Sequence, residues 1–220
     1  MVALLFVMLL VGMFLSALIF GWLLRDFSQL RLIQVIQGAA ALTMILNICA
    51  LWKQEARDPE RTQRAVERNF AEAWQALRQD GRVMRLLVAV GLGTAGFAMQ
   101  DVLLEPFGGQ VLGLSVGATT GLTALLAGGM LAAFAVAGRR LGRGAEPHRI
   151  AAYGALVGVF AFAVVTVTGA FASVIAFALG VALIGFGGGL FGVGTVTAAM
   201  NLARDGNSGL ALGAWGAVQA

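Results

Sequence analysis

The chain has almost none of the residues that build catalytic or cross-linked sites. Its 220 residues include one cysteine and one histidine. Cys49 alone can form neither an internal disulfide nor a thiolate metal site. His148 lies between Pro147 and Arg149 in a basic stretch, so a histidine metal centre or a histidine-dependent triad has no second member to draw on. Charge is scarce as well, at 12% of residues, and between Arg85 and Arg139 the only charged side chains are Asp101 and Glu105. These absences leave no catalytic residue and no metal ligand to nominate, and an enzyme is not expected.

Hydrocarbon fills the space instead. With 59% hydrophobic residues and a mean hydropathy of +0.86, the chain falls outside the range of a soluble domain. The expected fold is all-α, a polytopic bundle of transmembrane helices. Six apolar stretches reach the roughly 20 residues that cross a hydrocarbon core of about 30 Å. They are Met1–Leu24, Leu32–Trp52, Val83–Leu104, Val111–Ala137, Ile150–Gly169 and Phe171–Leu202. A seventh begins near Ser208 and runs to Ala220. Met1 enters the first span directly, without the small-residue cleavage pattern of a signal peptide, and residues are expected beyond both ends.

The cations are unevenly placed. Lys53 to Arg85 holds eight of the fifteen and Gly138 to Arg149 holds four, whereas the turns near Pro106 and Ala170 hold none. By the positive-inside rule, Lys53–Arg82 and Gly138–Arg149 are expected in the cytoplasm and the Glu105 turn on the opposite side. Arg25 and Arg31, with Asp26 between them, oppose this mildly. The same rule explains the pI of about 10.5: the implied partner is the lipid bilayer, not nucleic acid. Within the long connector, Asp58-Pro59-Glu60 reads as a helix start. Val66, Phe70, Trp74 and Leu77 then recur at helical spacing up to Asp80-Gly81, as in an amphipathic helix at the interface.

The polar residues inside apolar spans are the functional candidates. Asp101 and Glu105 stand four apart, so a helix places them on one side. A carboxylate near hydrocarbon is costly unless paired, hydrated or neutralised, and is read first as a site; hydration at the headgroup level is the competing explanation, stronger for Glu105. Gln100, Gln34, Gln37 and Asn47 are candidates either for ligand or partner contact or for hydrogen bonds between helices. Ser115, Thr119, Thr120 and Thr123 fit helix packing without nucleophilic chemistry. Gly91-Leu-Gly-Thr-Ala-Gly96 and Gly187-Gly-Gly-Leu-Phe-Gly192 match a dinucleotide spacing, but neither opens a helix after a soluble strand. Gly185 with Gly189, and Gly188 with Gly192, read instead as pairs that let helices approach closely.

The runs Arg31 to Arg57, Asp80-Gly-Arg, Met99-Gln-Asp-Val-Leu-Leu-Glu-Pro-Phe-Gly-Gly-Gln-Val-Leu-Gly-Leu-Ser, and Leu183-Ile-Gly-Phe-Gly-Gly-Gly-Leu-Phe with Thr195 to Met200 are long and unusual in composition. Together they resemble the PucC/LhaA family of light-harvesting-complex assembly proteins of phototrophic bacteria. The resemblance implies a major-facilitator-like fold, with residues 1–52 as the last two spans of an N-terminal half and 53–82 as the cytoplasmic connector. Residues 83–220 would then be a C-terminal half cut in its fifth span. It also implies an assembly factor of the bacterial inner or photosynthetic membrane that binds or delivers bacteriochlorophyll, antenna polypeptides or both. Bacteriochlorophyll would be cargo, not a covalent cofactor. With no histidine in the spans, oxygen groups such as Gln100, Asp101, Glu105, Gln34, Gln37 and Asn47 are the candidates to meet its magnesium. The basic turn Gly138-Arg-Arg-Leu-Gly-Arg143 resembles one of major-facilitator transporters but lacks the usual acid. The alternative is a secondary transporter of a small solute, proton-coupled through Asp101 and Glu105.

Overall fold

The computed structural model describes residues 2–51, 74–75, 78–171, 173–202 and 208–219. All regular structure among them is helical. The bounded helices are α1 (Val2–Leu23), α2 (Gln29–Leu51), α3 (Gly81–Gln110), α4 (Val116–Gly142), α5 (Pro147–Phe171), α6 (Val174–Leu202) and α7 (Ser208–Gln219). Five of them, α2 to α6, are long and apolar enough to cross a membrane, and α1 and α7 carry shorter apolar stretches at Val11–Leu23 and Leu210–Gln219. Helices are the expected solution, because a backbone in hydrocarbon must satisfy its own polar groups. Most of the connector, with Val66, Phe70 and Leu77, lies outside the described residues.

The helix starts are written in the sequence. Ser28, Asp80, Ser115 and Ser173 each stand just before a helix and accept a backbone N–H of its first turn, from Arg31, Arg82, Ala118 and Ala176. These bonds satisfy donors that a helix leaves open. Pro147 occupies the first position of α5, where its missing N–H costs nothing. Asp80-Gly81, expected as the end of the connector helix, is therefore also the start of α3.

One boundary differs from the expectation. The turn was expected at Pro106, with the next span opening at Val111; α3 instead runs through Pro106 to Gln110, and α4 opens only at Val116. Proline removes the donor for the Val102 carbonyl, but the chain recovers immediately. Val111 and Leu112 donate to the Phe107 carbonyl, Leu114 donates to the Gly108 carbonyl, and Gly113 turns with φ of +67°. A Cβ on Gly108 would lie 3.2 Å from Leu114 and 3.3 Å from Leu122. The glycine after the proline thus gives the turn its room.

Helix α6 is the hub, packing along α4 and α5 and touching α3 and α7. Its contacts are made largely backbone to backbone. Gly185 abuts the Leu126 carbonyl, and Gly189 would place a Cβ 2.8 Å from Ala133 and 3.0 Å from Met130, all on α4. On another side, a Cβ on Gly187 would lie 2.8 Å from atoms of Gly154 and Gly158, and one on Gly194 would lie 2.8 Å from the Pro147 carbonyl. Real side chains do not tolerate such distances, so these crossings require glycine. The pair Gly188 and Gly192 behaves differently. Gly188 faces the Phe97 ring and Met130, and a Cβ on Gly192 meets nothing within 4 Å, so among the described residues this pair is not a helix crossing.

Helix α3 is held by knobs and not by backbone contact. The Phe191 ring of α6 fills the notch at Gly93, and the Phe97 ring of α3 fills the notch at Gly158 of α5. Near its start, Val83, Leu86, Leu87 and Val90 form one cluster with Ala198, Ala199, Ala211, Ala214 and Trp215. The Trp215 indole N–H donates to Thr195 Oγ1 at 3.2 Å, tying α7 to α6 inside that cluster.

Two outcomes follow for stability. Gly187→Leu is expected to lower it by about 1–3 kcal/mol or more through overpacking, whereas Gly192→Ala should be neutral or slightly favourable; thermal unfolding monitored by size-exclusion chromatography separates them. Thr195→Val, which strands the indole N–H, should cost about 1–3 kcal/mol in the same assay.

Candidate inward-facing polar strip on α3

The inner side of α3 can be located from burial. Val83, Leu86, Leu87, Val90, Gln100, Leu104 and Gly108 are buried, whereas Val88, Leu92, Met99, Val102 and Leu103 are the exposed apolar side chains of the same helix. At about 100° per residue, Asp101 falls within roughly 20° of Val83, Val90 and Gly108. Leu92 and Met99 lie about 160–180° away on the same wheel. Asp101 therefore belongs to the meridian that elsewhere packs on α6 and α7, not to the outer apolar face. It is nevertheless exposed, as is Glu105. Among the described residues nothing covers Asp101 and Glu105, although Gln100 and Leu104 at the same level are buried.

Gln100 has a different environment from its neighbour. It is 6% exposed and sits between Phe97 and Leu104 on the buried stripe, yet its Oε1 has no hydrogen-bond partner. Thr94 Oγ1, also enclosed and unpartnered, lies two turns before Asp101 on nearly the same meridian, about 20° away. Other threonines of the bundle, such as Thr119, Thr120, Thr166, Thr168, Thr195 and Thr197, return their hydroxyls to backbone carbonyls three or four residues earlier. Thr94 was not among the sequence candidates. The available signal was its spacing of seven from Asp101 in an otherwise apolar span.

The candidates on α2 stand apart from this strip. Gln34, Gln37 and Asn47 are all exposed, and α2 buries no residue and makes no extended contact with another described helix. Asn47 donates to the Thr43 carbonyl at 2.9 Å and lies about 140° around the helix from Gln34. The structure thus sets Thr94, Asp101 and Glu105 within about 40° of one meridian of α3, holds Gln100 about 100° from Asp101 on the buried stripe, and leaves Gln34, Gln37 and Asn47 separate on α2. No group of three or more His, Cys, Asp or Glu side chains suited to a metal ion occurs among the described residues.

Chemically the strip offers oxygen acceptors: one enclosed amide, one enclosed hydroxyl and two accessible carboxylates. It suits a partner that brings donors or a hard cation, in a setting where a bond to a charged group counts for more than in water.

Long apolar helices, glycine crossings and buried polar groups together define a polytopic helical membrane protein. Within that class the chain belongs to the family described as PUCC protein, which matches residues 1–220. It is similar to Protein PucC of Rhodovulum sulfidophilum, at 53% identity over all of this chain and 49% of that protein. An uncharacterized protein of the puhA-bchM intergenic region of Rhodobacter capsulatus is 52% identical over all of this chain and 46% of its own length. A more distant relative, the bacteriochlorophyll synthase 44.5 kDa chain of Rhodobacter capsulatus, is 26% identical over 91% of this chain and 48% of that one. The chain spans about half the length of the curated relatives it matches. No solved structure matches it.

The state of Gln100 gives a direct test. Replacing the enclosed, unpartnered Oε1 removes an unmet polar group, so Gln100→Leu should leave the stability of the purified protein unchanged or raise it by up to about 1–3 kcal/mol, read as an unchanged or higher melting temperature. A clear loss of stability would show that the amide is already bonded.

Proposed function

We propose that the protein is a membrane assembly factor for bacterial light-harvesting antenna complexes, and that the inner side of α3 meets its cargo, bacteriochlorophyll or the antenna polypeptides that carry it. Membership of the PUCC family supports the assembly role, and the name of one distant relative, a bacteriochlorophyll synthase chain, associates that protein with bacteriochlorophyll. The observation that carries the siting is Gln100, an amide 6% exposed whose Oε1 is unpartnered, next to a carboxylate on the uncovered part of the inner meridian. An enclosed polar group without a partner costs about 1–3 kcal/mol, and a site that binds through that group offsets the cost.

The chain's own residues divide the work in this reading. Gln100 and Thr94 present acceptors at fixed positions, because Phe97 and Leu104 lock α3 against its neighbours. Asp101 and Glu105 supply charge where the bundle is open, suited to a magnesium centre or to a donor on a polypeptide. No covalent chemistry is assigned, and the protein is read as a non-enzyme. The basic segments Lys53–Arg82 and Gly138–Arg149 face the cytoplasm, which puts Glu105 toward the opposite surface, and the membrane is the bacterial inner or intracytoplasmic photosynthetic membrane.

Absorption spectroscopy with mass spectrometry of the gently solubilised protein is expected to find bacteriochlorophyll or antenna polypeptides. Asp101→Asn should lower the amount recovered roughly tenfold, the effect of losing one hydrogen bond to a charged group, while the protein still folds. Antenna levels that do not change in Asp101→Asn and Gln100→Leu strains would refute the siting. Proton-dependent uptake of a solute into vesicles, abolished by Asp101→Asn while antenna assembly continues, would replace the assembly role with transport.

A further inference from the structure

The turn between α4 and α5 carries three arginines that make no ion pair or side-chain hydrogen bond with the described residues. Arg139, Arg140 and Arg143 are exposed and have neither an ion pair nor a side-chain hydrogen bond with any described residue. The one nearby acid, Glu146, is already engaged by Arg149 at 2.7 Å. The backbone that displays them is fixed. Arg143 and Ala145 donate to the Arg140 carbonyl, Gly144 donates to the Leu141 carbonyl, and Gly144 adopts φ of +86°. Leu141 and Ala145 pack against the cluster of Ala133, Ala137, Ile150 and Leu190, so two residues of the turn, four apart, are pinned inward while the arginines are exposed.

Helix electrostatics accounts for only part of this. Arg139 and Arg140 lie in the last turn of α4, where cations offset the carboxyl-end dipole. Arg143 stands at the helix cap, next to the amino end of α5, whose positive end adds to the charge instead of offsetting it. Three guanidinium groups thus stand at the joined ends of two helices long and apolar enough to cross a membrane, where the ends of such helices meet headgroups. Guanidinium forks match phosphate oxygens in pairs, which distinguishes them from a diffuse basic surface.

We infer that Arg139, Arg140 and Arg143 form a binding site for the phosphate of an anionic phospholipid, seated on the α4–α5 turn. The site depends on the membrane setting but not on which face of the membrane the turn occupies, nor on the pigment or antenna reading of α3. Occupancy would tie the ends of α4 and α5 to the bilayer surface and reduce the repulsion among the three cations.

The test uses the purified protein in nanodiscs of phosphatidylcholine mixed with phosphatidylglycerol, with native mass spectrometry counting the lipid retained after transfer to detergent. Phosphatidylglycerol is expected to be enriched over its share of the mixture. Each Arg→Gln change should weaken that preference roughly fivefold; Lys at all three positions should retain more of it than Gln, and Arg149→Gln, which removes an already paired cation, should leave it intact. Wild-type protein that retains the two lipids in proportion, or an Arg139→Gln/Arg140→Gln/Arg143→Gln variant that keeps its preference, would overturn the inference. So would displacement of the lipid by glycerophosphoglycerol in bulk solution, which would mark a soluble-phosphate site, or loss of an acidic polypeptide from the triple variant with its lipid unchanged. A triple variant that elutes as an aggregate is replaced by the single Arg143→Gln, judged by the same retention.

Discussion

The bundle depends on the close approach of α6 to its neighbours. In lipid there is little hydrophobic drive to bring one apolar helix against another, so association rests on the quality of van der Waals contact. Glycine provides it by removing the side chain at the crossing. On α6, Gly185 and Gly189 serve one crossing and Gly187 and Gly194 the other, so a single helix presents backbone to two partners on different sides. Glycine lowers intrinsic helix stability by about 1 kcal/mol per residue, and dense packing on both sides offsets that. Gly21 and Gly117 repeat the device where α1 crosses α4.

That arrangement decides where the bundle can be open. Helix α6 is in backbone contact with α4 on one side and α5 on the other. Helix α3 is kept at side-chain distance by Phe97 and Phe191 and is covered near its start by α7. On its later part Leu104 is packed into the core while Asp101 and Glu105 are left uncovered among the described residues. The acid pair therefore sits where a rigid three-helix core meets a helix seated on aromatic knobs.

Much of the fold was legible in sequence because membrane helices obey simple rules. Span length and the glycine pair at 185 and 189 could be read locally, whereas Ser115, read as a packing residue within a span, caps the start of α4 instead. The turn after α3 could not, because Pro106 suggests a break, and the contact that keeps the chain helical, Gly108 receiving Leu114 and Leu122, joins residues up to fourteen positions apart. The Gly187 and Gly194 crossing was hidden for a related reason. Its partners, Gly154, Gly158 and Pro147, lie on another helix, and a spacing of seven within a glycine-rich run resembles many alternatives. The polar strip was half legible: Asp101 and Glu105 announce themselves by charge, while neutral Gln100 and Thr94 differ from structural polar residues only in lacking a partner, which requires coordinates.

The contrast between Gln100 and Asp101 bears on how such a site can work. An accessible carboxylate can be hydrated while it waits, so its free energy changes little until cargo arrives. The enclosed amide cannot. It stays unsatisfied in the empty protein and gains most when a donor or a cation reaches it, so it rewards a well-placed partner and discriminates against a poorly placed one. Under the proposed function, adjacent residues on one helix, about 100° apart, would divide attraction from selection: Asp101 toward the open side, and Gln100 as the group satisfied only when the contact is made.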